Sequence, residues 1–144
     1  MVEKRCTSKK RPTRERRTLC YPKDLPQPRD WLRFVHLPPF DPAFKKCGLD
    51  DEDLRALEML VMVNPEGHPV ITGTGGVRKL RFTSNRWSSG KRGGARVYYL
   101  HVAEKGIVFW LYIHMKNEQD NLTDAGKKVL RSLVEEVVDY LENG

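Results

Sequence analysis

Acidic residues are missing from the middle of this 144-residue sequence. Residues 71–100 hold seven Lys or Arg and no Asp or Glu, whereas residues 31–70 hold four basic against seven acidic residues and 101–144 five against eight. The formal charge of +7 is therefore confined to this central patch and to residues 1–30, which carry ten Lys or Arg against four acids. Charge localised in this way points to a nucleic acid more than to general solubility. Cysteine is scarce: Cys6, Cys20 and Cys47 are odd in number and lack metal-ligand spacing, so they read as free thiols of a reducing compartment. No run approaches the length of a membrane-spanning segment, and the N-terminus has charge without an apolar stretch. The expectation is a soluble, cytoplasmic chain with no membrane partner. Nucleotide-binding glycine patterns are lacking too. The GTGG at Gly73–Gly76 is followed by a strand, so it offers no helix N-terminus to a phosphate. It is either a turn that lets backbone approach a ligand or partner closely, or a plain tight turn.

What is present is a basic hairpin. Two strand-like runs, Val77–Phe82 and Ala95–Val102, flank a polar Gly/Ser loop, and the basic residues are Arg78, Lys79, Arg81, Arg86, Lys91, Arg92 and Arg96. The period of two along a strand sets Lys79 and Arg81 opposite Leu80 and Phe82. On the second run it sets Arg96 and Tyr98 opposite Val97 and Tyr99. If the runs pair, Lys79, Arg81, Arg96 and Tyr98 line one concave face.

Around the hairpin the chain divides into an arm and a domain. Residues 1–30 are basic, Pro-containing and poor in apolar side chains, which predicts a flexible N-terminal arm; it either adds sequence-independent affinity for RNA or has no function. Residues 31–144 form the domain. Trp31–Val35 reads as a first strand, Asp41 as a cap for a short helix to Lys46 closed by Gly48, and LDDEDLRALEMLVMV as a second helix stopped by Asn64-Pro65. After Gly106, IVFWLYIHMK has the nearly continuous apolar character of a central strand, with Tyr112, His114 and Lys116 on one side and Leu111, Ile113 and Met115 on the other. Thr123 caps a last helix whose Val129, Leu130, Leu133, Val134, Val137, Val138 and Leu141 make a stripe for docking on a sheet. The predicted class is α+β: helices before and after an antiparallel sheet of three to five strands.

The basic strands carry no paired carboxylates, and no His/Cys cluster for zinc or Ser/His/Asp arrangement can be placed. Metal-dependent hydrolysis is disfavoured and no cofactor is implied. Cations together with Tyr98 and His114 suffice for cleavage of RNA by its own 2′-hydroxyl, which needs a base, an acid and positive charge around the phosphate. Each residue also has a plainer reading. Lys79 and Arg81 can be charges on a wet sheet face, His114 a core histidine with satisfied hydrogen bonds, and Tyr98 a packed aromatic. Trp87 can stack on a base or pack over the hairpin.

At these residues the sequence resembles the RelE/ParE superfamily of bacterial toxins, and within it the HigB-type branch of toxin–antitoxin systems. The resemblance covers about residues 31–142 and rests on GTGGVRKLR, GKRGGARVYY and KNEQDNLT in that order. It implies a RelE-like fold, and a toxin that acts on the ribosome and cuts mRNA without a metal or cofactor. It also implies an antitoxin partner with a helix-turn-helix domain. By resemblance, Lys79, Arg81, Arg96 and Lys116 are catalytic, and Lys91 and Arg92 touch ribosomal RNA. Arg78, Arg86 and Tyr98 are added as RNA-binding residues. His114 stands where relatives commonly have tyrosine, and is taken as a general acid or base because imidazole titrates near neutrality. The alternatives are a non-catalytic RNA-binding protein and a ParE-like inhibitor of DNA gyrase.

Overall fold

The structure, a computed structural model, describes residues 32–85, 87, 94–116 and 122–143. The predicted arm, Trp31, Arg86, Lys91, Arg92 and residues 117–121 lie outside the described residues. The elements are β1 (Arg33–His36), α1 (Phe40–Lys46), α2 (Asp51–Val63), β2 (Arg78–Phe82), β3 (Ala95–Val102), β4 (Ile107–Met115) and α3 (Asp124–Asn143), with a 3₁₀ turn at Ala103–Lys105 between β3 and β4.

The sheet has the order β1-β4-β3-β2. Its antiparallel part, β2-β3-β4, is the predicted hairpin plus the predicted central strand. The whole sheet is mixed rather than antiparallel, because β1 lies parallel to β4, Arg33 opposite Ile107 through His36 opposite Trp110. Two helices and the hairpin intervene between β1 and β4, so no turn signal in the sequence sets their direction.

Local chemistry accounts for the helix starts. Asp50 and Asp53 form a reciprocal capping box, each carboxylate accepting the other's backbone N–H at 3.1 and 3.0 Å. Asp53 is also buried and accepts Ser84 Oγ–H at 2.7 Å, tying the head of α2 to the chain just past β2. Thr123 Oγ1 accepts the Gly126 N–H at 3.0 Å, as a cap of α3 should. Asp41, in contrast, is not the cap of α1. The helix begins one residue earlier at Phe40, and the Asp41 carboxylate lies 2.7 Å from His36 Nδ1.

The sheet is covered on both faces. On one, α1 and α2 contribute Phe40, Phe44, Leu57 and Val61 to a cluster with Leu80, Phe82, Val97, Tyr99, Val108, Trp110, Ile113 and Met115. Trp110 is its centre: it stacks on Phe34 and Phe40 at 5.4 and 5.6 Å and meets the Tyr99 ring edge-on at 5.9 Å. On the other face α3 buries Leu130, Val134 and Val137 against Val77, Tyr98, Leu100, Ile107, Phe109 and Leu111. Val129 and Val138, predicted for the docking stripe, are instead exposed.

Leu111 departs from the predicted alternation, which placed it with Ile113 and Met115. Along β3, Tyr98 and Tyr99 are consecutive, but on β4 their partners are Tyr112 and Trp110. One residue is therefore extra on β4, a β-bulge, and Leu111 drops into the α3 cluster while Ile113 and Met115 stay with α1 and α2. Deleting Leu111 would remove the bulge, make Trp110 and Tyr112 consecutive opposite Tyr99 and Tyr98, and leave Ile113 and Met115 on the α1/α2 face. The expected outcome is a cooperative thermal transition in circular dichroism, lowered by the lost burial of Leu111; loss of the transition would contradict the register argument.

Candidate nucleic-acid interface

Pairing of the hairpin brings the predicted cations together. Lys79 lies opposite Tyr98 and Arg81 opposite Arg96 on β2 and β3, and Tyr98 and Arg96 lie opposite Tyr112 and His114 on β4. Two rows cross the sheet on the α3 face: Lys79–Tyr98–Tyr112, and beyond it Arg81–Arg96–His114. Neighbouring strands are about 4.8 Å apart, so each row spans roughly 10 Å. No Asp or Glu occurs on β2, β3 or β4. The apolar contacts of α3 reach Tyr98 and, in part, Tyr112, and include neither Arg96 nor His114.

Burial grades these side chains. Arg81 is exposed, and Lys79, Tyr112 and Lys116 are half-buried. Arg96, His114 and Tyr98 are almost fully enclosed, at 6%, 4% and 1% exposure. This face thus presents Arg81 and Lys79 outward, with Arg96 and the Tyr98–His114 pair as its floor.

The partners of that pair decide its protonation. His114 Nδ1 lies 3.1 Å from the Met115 carbonyl oxygen, which can only accept, so Nδ1 carries a hydrogen. Nε2 lies 2.7 Å from Tyr98 Oη, and in the neutral tautomer it accepts the phenolic hydrogen. Burial pushes the Tyr98 phenol up to about 12, with Arg96 pulling it back and Tyr112 adding to the rise. The hydroxyl therefore keeps its proton at neutral pH. Both ring nitrogens of His114 are engaged.

Arg78 does not join the rows. It sits opposite Tyr99, on the α1/α2 face, and its Nη1 donates to the carbonyls of Glu66 and His68 at 3.0 and 2.7 Å. Tyr99 donates to the Pro65 carbonyl at 2.7 Å, and His68 Nδ1 lies 3.0 Å from the same hydroxyl oxygen. His101 meets Glu66 at 3.0 Å. Arg78 and these neighbours fasten the connection between α2 and β2. Burial, seconded by Arg78, holds the His68 imidazole below its ordinary value, and burial pushes the Tyr99 phenol up to about 12.

The GTGG turn is closed by the chain itself. Buried Thr74 donates from Oγ1 to the Ile71 carbonyl at 2.7 Å and accepts the Val77 N–H at 3.1 Å. Gly75 has φ +88, and a Cβ there would sit 3.2 Å from Val134 of α3. The close approach that the glycine permits is to the chain's own last helix. Trp87 packs edge-on against Phe82 at 6.3 Å, the plainer of its two readings.

No family model matches the sequence. Among solved structures, a doubly substituted E. coli toxin RelE in the free state is 19% identical, with a TM-score of 0.41, over 62% of this chain and 87% of that one. The intact E. coli RelBE toxin–antitoxin complex gives 20% identity and a TM-score of 0.39 over 58% and 94%.

Two outcomes follow from the buried hydroxyls. Tyr98→Phe leaves His114 Nε2 buried without its donor and should destabilise the fold by about 1–3 kcal/mol in urea titrations. A neutral effect would mean that the hydrogen bond is not formed. Because the folded phenols of Tyr98 and Tyr99 lie above their ordinary value of 10.0, the stability they contribute is complete below pH 10 and is lost as pH rises through about 12. An absorbance titration should show two tyrosines ionising late, together with a falling Tm. His68 has the opposite sense: its contribution is present above its ordinary 6.5 and fades as pH falls below it. His68→Gln should flatten the acid limb of the Tm profile.

Proposed function

We propose that this chain is a toxin of the RelE/ParE type, an endoribonuclease that cleaves mRNA on the ribosome and so arrests translation. The observation that carries the reading is the row Arg81–Arg96–His114, with Lys79 and Tyr98 beside it, on three strands that hold no acid. The ordered resemblance of GTGGVRKLR, GKRGGARVYY and KNEQDNLT to HigB-type toxins supports it from the sequence.

In the reaction the RNA supplies its own nucleophile. The 2′-oxygen attacks the adjacent phosphorus, the bond to the 5′-oxygen breaks, the 2′ proton passes to a base and an acid protonates the leaving oxygen. Exposed Arg81 offers a bidentate fork to the phosphate oxygens, and Lys79 a mobile point charge. Arg96 places a second guanidinium at the floor of the face, where exclusion of water strengthens its attraction for the charge that develops on phosphorus. Lys116, just past β4, adds a further cation. His114 acts as base through Tyr98: the hydroxyl takes a proton from the RNA as it passes its own to Nε2. Arg86, Lys91 and Arg92 belong to this reading as RNA contacts by resemblance, and so does an antitoxin partner.

A second reading is favoured by one observation. Arg96, His114 and Tyr98 are enclosed, so among the described residues of this face the RNA first meets Arg81, Lys79, Tyr112 and Lys116, which is sufficient for a protein that binds RNA without cutting it.

Cleavage of mRNA in a reconstituted translation reaction, mapped by primer extension, separates the two. Cuts within ribosome-bound codons that fall about 100-fold or more in Arg81→Ala are expected. Arrested translation on intact mRNA would favour the binder, and intact mRNA with normal translation would overturn both. Arg78→Ala should lower thermal stability while leaving the cut positions unchanged. His114→Gln, which keeps an acceptor for Tyr98 but cannot take up a proton, should abolish cleavage without unfolding the protein; full activity would remove His114 from the mechanism.

A further inference from the structure

The row Arg81–Arg96–His114 ends at β4, and what lies past it is a pocket. β1 pairs with β4 only from Ile107 to Trp110; the Leu37 N–H takes the Trp110 carbonyl at 3.0 Å, and the chain then turns away through Pro38 and Pro39 into α1. The later half of β4 therefore faces α1 instead of a strand. Between them is a cavity of about 270 Å³ whose walls include Pro42, Ala43, Lys46, Cys47, Tyr112 and His114. Its size lies just below the ~300 Å³ at which small-molecule pockets begin, which suits a single ring system. Flat walls come from a proline and the Tyr112 ring, and a polar group from the exposed Lys46 ammonium, which donates and cannot accept. A planar base with carbonyl or ring-nitrogen acceptors fits this combination, since aromatic faces stack on any base and donors at the edge select among them.

The position of the pocket bears on its ligand. It is one step beyond the phosphate-binding row in the direction the row runs, and it shares His114 and Tyr112 with the two rows. Arg81 and His114 stand at the two ends of one row across three strands, so an RNA strand laid along that row runs from the cation towards the pocket. We infer that the α1/β4 pocket receives one unstacked base of the bound RNA, flanking the phosphate on Arg81, and that Lys46 and the walls from α1 select which base is accepted. The inference rests on the RNA-directed reading of the same face and does not depend on whether cleavage follows.

The test uses the full chain and short single-stranded RNAs with 2′-O-methyl groups, which remove the nucleophile. 2-Aminopurine is placed at each position in turn. On the unsubstituted protein one position should show fluorescence quenched by stacking. Ala43→Leu, which fills the pocket, and Lys46→Gln, a surface change that leaves packing intact, should each weaken that quenching while the overall affinity falls less than in Arg81→Ala. In the variants, discrimination among natural bases at that position should drop about 10-fold, the order of selectivity that pocket walls supply. RNA that binds with Arg81-dependent affinity but with quenching unchanged in both variants would overturn the pocket and leave the RNA reading standing. Absence of any Arg81-dependent RNA binding would overturn the two together.

Discussion

The register between β3 and β4 is the constraint on which the rest of this molecule depends. Side chains alternate across a sheet with a period of two, so one extra residue exchanges the faces for everything that follows. From Ile107 to Leu111 the alternation sends Val108 and Trp110 towards α1 and α2, and Ile107, Phe109 and Leu111 towards α3. Continued without interruption it would bury Tyr112 and His114 with Trp110. The bulge at Leu111 resets the phase, so that Ile113 and Met115 enter the core and His114 comes opposite Arg96. The apolar half of β4 and its polar end are each in the right phase for their own surroundings, and the bulge reconciles them. Bulges are over-represented next to functional sites because they re-aim a side chain in this way.

That register divides the α3 face into two halves with different physics. Near Leu100 and Phe109 the face is dry and covered by Leu130, Val134 and Val137, and Gly75 lets the GTGG turn come in under Val134. Further along β3 the apolar cluster stops at Tyr98, and the residues become Arg96, Arg81 and His114. Tyr98 belongs to both halves: its ring packs with the α3 cluster and its hydroxyl donates to His114. The low local dielectric that makes this hydrogen bond strong also makes either partner costly to leave unpaired. A neutral phenol results, held against an imidazole whose Nδ1 carries a hydrogen, and Arg96 brings a guanidinium to the same enclosed floor.

Much of this was legible in the sequence, for reasons that the residues make plain. Ala95–Val102 was read with its observed bounds because Gly94 and the 3₁₀ turn mark both ends, and Thr123 is the cap it was read as. Lys79, Arg81, Arg96 and Tyr98 were placed on a common face by alternation together with the pairing of the two runs, since β2 and β3 are each regular. The failures involve information that alternation does not contain. Leu111 breaks the period, Arg78 is turned by alternation itself to the other face where carbonyls of a distant loop await it, and Asp41 is drawn to His36 across five residues. Parallel pairing of β1 and burial of Arg96 arise from contacts between segments far apart in the chain. So does the pocket beside Lys46: nothing near Lys46 in sequence indicates that β4 will stand beside it.

The burial of Arg96 also bears on how such a face would act on a phosphate. An exposed guanidinium shares its charge with water, and its attraction for an anion is screened. A guanidinium held at the floor of a water-poor site is already oriented and exerts its field on whatever charge is brought to the surface above it. Arg81 and Arg96 are direct cross-strand neighbours, so two like charges face one another across a single strand spacing. Of the two, Arg81 is exposed and Arg96 enclosed, so on the proposed reading the outer guanidinium meets a phosphate first and the inner one acts from beneath it.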